Sequence, residues 1–156
     1  MPESKPLKTW HLIFLAGLVI IAIGSKIYSS LWTKAIVKVG GVEIKVLVAD
    51  TKDHRFQGWS GKKDMGKYGG MLFVFPESGD YQMVMRDMYF PLDIIWIYGD
   101  EIVDFAQNLP PEAGVSEAML TKYPARRHST LVLEVPAGFM EQTGLKIGDK
   151  VEVIKK

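Results

Sequence analysis

The chain reads as a mainly β protein, a small antiparallel β-barrel or sandwich of about eight short strands with one or two short helices, preceded by a single transmembrane helix. Three observations predict this. Short runs rich in Val, Ile and aromatic residues recur along most of the chain, and Gly- or Pro-containing turns separate them. An apolar run without acidic or basic residues stands before all of them. Hydrophobic residues make up 47% of 156 residues, enough for one core and too many for a disordered chain.

The apolar run comes first. Thr9 to Ser25 contains no residue that is charged at neutral pH when His11 is neutral, and Leu12 to Ile23 is apolar almost throughout. A helix from Trp10 to Trp32 would rise about 33 Å, matching a hydrocarbon slab of ~30 Å, with the two Trp at opposite interfaces. Lys26 lies near the outer end, where its long side chain can snorkel. Lys5 and Lys8 precede the helix, and the positive-inside rule keeps residues 1–9 in the cytoplasm. Residues 10–32 are thus expected to be a single-pass signal anchor, with residues 33–156 outside the membrane. The alternative is a cleaved signal peptide and a secreted domain, because Ala22-Ile23-Gly24 resembles a cleavage site.

Within the domain, Ala35 to Val39 and Val42 to Val48 alternate apolar and charged residues around Gly40-Gly41, the pattern of a two-residue hairpin. Asp50 or Thr51 can cap a short helix that ends near Gln57, where Gly58 halts it. Ser60 to Gly70 lacks a period and reads as a loop. Met71 to Phe75 reads as a buried strand and Tyr81 to Met88 as the next, ended by Pro91. Ile94 to Tyr98, apolar on both faces, turns at Gly99-Asp100 onto Ile102 to Ala106. Pro110-Pro111 opens the longest irregular stretch, in which Ser116 to Tyr123 can make a helical turn or two. Thr130 to Val135 resumes the β pattern. Ala137 to Thr143 reads as a short helix stopped by Gly144, and Val151 to Ile154 as a last strand.

Composition excludes several functions. Setting aside Lys5, Lys8, Lys26 and Glu3 from the totals of 19 basic and 18 acidic residues leaves 16 against 17, so the domain is near neutral. It lacks the basic stripe that nucleic acid requires, and Arg126-Arg127-His128 is too short to supply one. With no cysteine there is neither a disulfide nor a thiolate nucleophile. His54 and His128 have no ligand spacing to Asp50, Asp53 or Asp104, so no metal site is expected, and both read as exposed. No phosphate-binding glycine loop is present, and no cofactor is expected.

Candidate site residues cluster at the bend around Phe90-Pro91. Arg86, Asp87 and Asp93 flank it between two apolar strands, where a carboxylate is either paired structurally or has a perturbed pKa and a task. Asp87 and Asp93 are the candidate catalytic pair for a hydrolase, with Arg86 holding substrate, although no spacing sets their separation. Trp59 and Tyr89 are candidate stacking platforms beside Arg86 and Asp93; core or rim packing explains them equally. Trp96, inside a continuous apolar strand, reads as core.

Four segments, in order, resemble a known family. Gly70-Met71-Leu72-Phe73-Val74-Phe75, followed by Met85-Arg86-Asp87-Met88-Tyr89-Phe90-Pro91-Leu92-Asp93-Ile94-Ile95, is similar to the family called domain of unknown function 192. Val132 to Gly138 and Gly144 to Asp149 fall where that family has similar segments. The resemblance implies a small, mainly β, often exported domain, and no activity or catalytic residue. Family members often carry Gly-Leu-Met-Phe-Arg where this chain has Gly58 to Lys62, and Trp-Met-Lys-Asn-Thr where it has Val84 to Met88.

The function expected from these readings is a non-catalytic binding or assembly module for a cell-envelope glycan, peptide or protein, held at the outer membrane face. An envelope hydrolase using Asp87 and Asp93 is the alternative. A structural subunit of a membrane complex is a third.

Overall fold

The structure, a computed structural model, describes residues 9–29 and 31–155, with side chains described for 10–25 and 31–154. It contains two compact units, residues 1–31 and residues 32–156.

The first unit holds helix α1 (Thr9–Ser29). Its apolar side chains face outward: Trp10, Ile13, Ile20 and Ile21 are among the most exposed large hydrophobics. Among the described residues no helix is long and apolar enough to cross a membrane. The described side chains of α1 cover residues 10–25, about 24 Å of rise against a slab of ~30 Å. Residues 1–8, with Lys5 and Lys8, and the Lys26 side chain lie outside the described residues. The expected helix end at Trp32 is corrected. The helix stops by Ser29, and Trp32 belongs to the β unit, where it stacks on His54 at 4.1 Å between ring centroids.

The second unit is mainly β. Nine strands run in chain order: β1 (Thr33–Val39), β2 (Val42–Ala49), β3 (Gly70–Gly79), β4 (Gln82–Met83), β5 (Leu92–Tyr98), β6 (Glu101–Leu109), β7 (Tyr123–Pro124), β8 (Ser129–Pro136) and β9 (Val151–Lys155). Two helices, α2 (Lys52–Gln57) and α3 (Phe139–Thr143), and one 3-10 turn at Glu117–Met119 complete it. Seven strands form a curled sheet in the order β6-β5-β8-β3-β2-β1-β9, antiparallel except for β2 beside β3. That parallel pair is possible because α2 and the loop after it form a crossover long enough to return the chain. β4 and β7 form a separate pair.

The β1–β2 hairpin turns through Gly40 and Gly41 at φ 57° and 77°, the two positive angles that a tight primed turn demands. At the opposite end of the strand order the sheet edges meet. Val151 N–H donates to the Asp100 carbonyl (2.8 Å) and Ile102 N–H to that of Asp149 (2.9 Å), joining the start of β6 to the approach to β9.

Two apolar clusters lie on opposite faces of the sheet. One packs Val37, Val46, Leu72, Ile95, Leu133 and Met140; the other packs Trp59, Met71, Phe73, Met85, Ile94 and Trp96. The central strands β3, β5 and β8 contribute to both, so their side chains are buried on alternate faces. This is why Ile94 to Ile97 is apolar throughout. Trp96 is core as expected, its Nε1–H donating to the Tyr81 carbonyl at 3.0 Å.

The strand expected over Tyr81 to Met88 is corrected to two residues, Gln82–Met83. Met83, and Met85 and Met88 beyond it, all turn inward onto the second cluster, and Asp87 has φ 49°. A left-handed residue breaks any extended run, so the segment packs as a coil rather than pairing as a strand. His54, expected to be exposed, is 5% exposed beneath Trp32.

Candidate functional site

β8 carries a carboxylate where its pattern calls for an apolar residue. Glu134 lies opposite Met71 of β3 and Ile94 of β5, on the same face as Val132 and within the second cluster's side of the sheet. It is 4% exposed. Its carboxyl makes neither a hydrogen bond nor an ion pair among the described residues. Burial alone pushes its pKa up to about 8, so at neutral pH the group is mostly the uncharged acid.

Glu134 lines a cleft of about 300 Å³, near the lower end of small-molecule sites. The apolar walls are Phe56, Trp59, Phe73, Met83 and Met88; Lys52, Arg55 and Arg86 also line it. α2 supplies the first wall. Thr51 caps it by accepting the His54 N–H, and Gly58 ends it, which turns Trp59 back toward the sheet. Trp59 is 3% exposed, with its Nε1–H buried and unpartnered. Gly70 allows β3 to lie close to β8 at this point, because a Cβ there would collide with the Glu134 carbonyl.

The cations are held in place. Arg86 donates from Nε and from its terminal nitrogen to Glu117 at 2.6 Å each, donates to the Phe56 carbonyl at 2.9 Å, and lies over the Phe56 ring at 4.2 Å. The hydrogen bonds that Arg86 donates to Glu117 raise the Arg86 pKa and, in return, lower that of Glu117. Arg55 donates to the carbonyls of Asp50 and Val74. Lys52 is exposed at the cleft's edge.

Of the four expected ligand residues, the structure brings Arg86 and Trp59 to this cleft. Tyr89 is 57% exposed and is not among its lining residues. Asp93 is fully buried and committed elsewhere. Its Oδ1 accepts the N–H of Asn108 and of Gly138, and its Oδ2 that of Met140, tying β5 to β6 and to the first turn of α3. Asp87 is half-buried, and neither aspartate lines the cleft.

Asp104, weighed as a metal ligand, is buried and grips Arg126 through that residue's backbone N–H and guanidinium. Burial pushes its pKa up, but the bonds from Arg126 and the Phe105 N–H outweigh this and hold it low. His128 pairs with Asp80 at 2.9 Å. Among the described residues no group of three or more His, Asp or Glu could hold a metal ion.

Residues 35–153 match the domain of unknown function 192 family, described as an uncharacterized ACR. The chain belongs to that family. Two solved structures share its fold. A Sinorhizobium meliloti 1021 protein named as a candidate transcription regulator is 29% identical, with a TM-score of 0.70 over 78% of this chain and 95% of its own. A protein of unknown function from Novosphingobium aromaticivorans DSM 12444 is 27% identical, with a TM-score of 0.65 over 78% of this chain and 84% of its own. No curated protein matches. Where family members often have Asn, Asp87 adopts a left-handed φ that Asn and Asp both tolerate, so the exchange keeps the backbone.

Glu134 stands within the segment Val132 to Gly138, and that segment by itself does not reveal the residue's environment. The available signal was a lone carboxylate inside Leu131-Val132-Leu133-Glu134-Val135, a run otherwise apolar on both faces.

Proposed function

We propose that the domain is a non-catalytic binding module whose ligand occupies the cleft between α2, Trp59 and β8, and that α1 tethers it to the outer face of a membrane. One observation carries the binding reading. An uncompensated carboxyl group beside an apolar cleft costs stability, and such a group is retained where it has a task. Trp59, whose buried Nε1–H has no partner, is a residue of the same wall. A nucleophile beside a base is not found in the cleft, so binding rather than chemistry is the favoured reading.

The tether is supported by the exposed apolar side chains of α1 from Leu12 to Ile23, which leave no polar face. The regulator description of the Sinorhizobium protein is not carried over, because this near-neutral domain has no basic stripe for a phosphate backbone.

The test is thermal stability of the full chain in mild detergent against envelope glycans, short peptides, nucleotides and divalent metals, repeated with Arg86→Ala and Glu134→Leu. One ligand class is expected to raise the melting temperature of the native chain and of neither variant. A ligand whose effect survives in both folded variants would move the site elsewhere.

A further inference from the structure

The β1–β2 pair is charged unevenly along its length. Strand alternation and register put Lys34, Ile36 and Lys38 of β1 on one face with Glu43, Lys45 and Leu47 of β2, away from the first apolar cluster. At the hairpin end Lys38 pairs with Glu43 at 3.1 Å. At the other end Lys34 and Lys45, with Lys67 from the loop before β3, line an open hollow of about 590 Å³ whose walls include Trp32, Ile36 and Tyr68. No acidic residue lines it, and among the described residues none of these three lysines makes an ion pair. All three are exposed, while Trp32 and Tyr68 are half-buried, and Lys67 Nζ stands 5.8 Å from the centre of the Tyr68 ring. The Gly69 N–H fastens the loop to β2 by donating to the Lys45 carbonyl at 2.8 Å.

The sequence carries the same unevenness. Residues 32–68 hold eight basic and four acidic residues, and residues 69–156 hold eight and thirteen, so the near-neutral balance of the domain conceals a basic first part. In chain order that part follows directly on the apolar helix: Trp32 opens the second unit three residues after α1 ends at Ser29.

We propose that this lysine face rests on an anionic lipid surface, its ammonium groups meeting lipid phosphates and the rims of Trp32 and Tyr68 lying at headgroup depth. This rests on the tether reading above and adds a second, reversible contact between the domain and the membrane. Lysines next to a membrane segment favour anionic headgroups by about fivefold each, and Trp and Tyr are at home in the same layer. Three lysines in one hollow are too few to follow a nucleic-acid backbone, which takes a longer basic track.

The test reads each lysine separately. The full chain is reconstituted in lipid nanodiscs of phosphatidylcholine alone or of an equal mixture with phosphatidylglycerol. It is then acetylated briefly with a water-soluble succinimidyl ester, and mass spectrometry gives the rate at every lysine. Lys34, Lys45 and Lys67 are expected to react severalfold more slowly in the anionic discs, and to regain their rates in high salt, which screens exposed charges. Lys122, exposed and outside the hollow, is expected to react alike in both. Lys45→Glu, shown to be folded by circular dichroism, is expected to return Lys34 and Lys67 to their rates in the neutral discs.

Equal rates at the three lysines in both discs, in a chain that has entered them, would overturn the lipid contact and leave the tether standing. A chain that does not enter the discs would overturn the tether and this contact together. Equal slowing of Lys122 would mean a general attraction of the domain and would remove the lysine face. Protection of the three lysines by hexaglutamate, a short oligonucleotide or glycerol 3-phosphate in neutral discs, without protection by anionic lipid, would replace the lipid surface with that class of partner.

Discussion

Glu134 is the residue whose chemistry departs furthest from its surroundings. Its pKa of about 8 in the folded chain stands against an ordinary 4.5, so between those values the native state holds a proton that the unfolded chain releases. The linked stability is fully present below pH 4.5 and is lost as pH rises toward 8, at about 1.4 kcal/mol per pH unit. Urea denaturation at pH 5, 6.5 and 8 is expected to show this decline in the native chain and a flatter profile in Glu134→Gln. Parallel profiles would mean that the carboxyl finds a partner in solution. Carboxylates held low by cations, such as Asp104 with Arg126, act with the opposite sign and lose their contribution as pH falls. Glu134→Leu is expected to stabilise the domain at pH 8, since it removes a largely desolvated carboxyl that has no hydrogen-bond partner in the protein. A loss of stability there would show that the carboxyl is better solvated than its burial implies.

Among the elements, α3 shows how a short helix is made by its setting. Five residues cannot hold a helix alone, and Gly138 supplies no capping side chain. The cap comes from β5 instead, through the Asp93 carboxylate on the N–H groups of Gly138 and Met140. Asp93→Ala strands these and the Asn108 N–H, and is expected to cost about 3 kcal/mol or more in chemical denaturation. Asp87→Asn, which keeps a residue tolerant of positive φ, is expected to stay within about 0.5 kcal/mol. An Asp93 variant of unchanged stability that no longer binds ligand would restore Asp93 as a site residue. The β1–β2 hairpin, α2 and its cap, and β5 were legible because their patterns are local. β4 was not. Tyr81 to Met88 carries strand-like residues, and only packing on the second cluster decides that the segment coils.

For the molecule as a whole, the boundary between its two compact units predicts a separable β domain. A chain starting at Trp32 is expected to fold in buffer without detergent, with a melting temperature within a few degrees of the full chain, because the two apolar clusters of the sheet lie within it. The full chain is expected to sediment with membranes and resist alkaline carbonate, and the truncated chain to remain soluble. Release of the full chain by carbonate would sink the membrane-inserted tether. A truncated chain that aggregates would show that the first unit supports the fold.

The family and its mainly β class were readable from ordered motifs and alternating strands, because both are written in neighbouring residues and a period of two. The apolar character of α1 was equally local. The parallel β2–β3 pairing, the meeting of the sheet edges and the burial of His54 depend on residues far apart in the chain. The candidate site belongs with these. Arg86 and Trp59 could be suspected singly, but Asp93 looked free until α3 closed over it, and Glu134 looked like one charge in a strand until α2 and the Met83–Met88 segment covered that face of the sheet. Whether a carboxylate is spent on backbone N–H groups or left unpaired beside a cleft is set by its partners in space, and a linear sequence does not carry those distances.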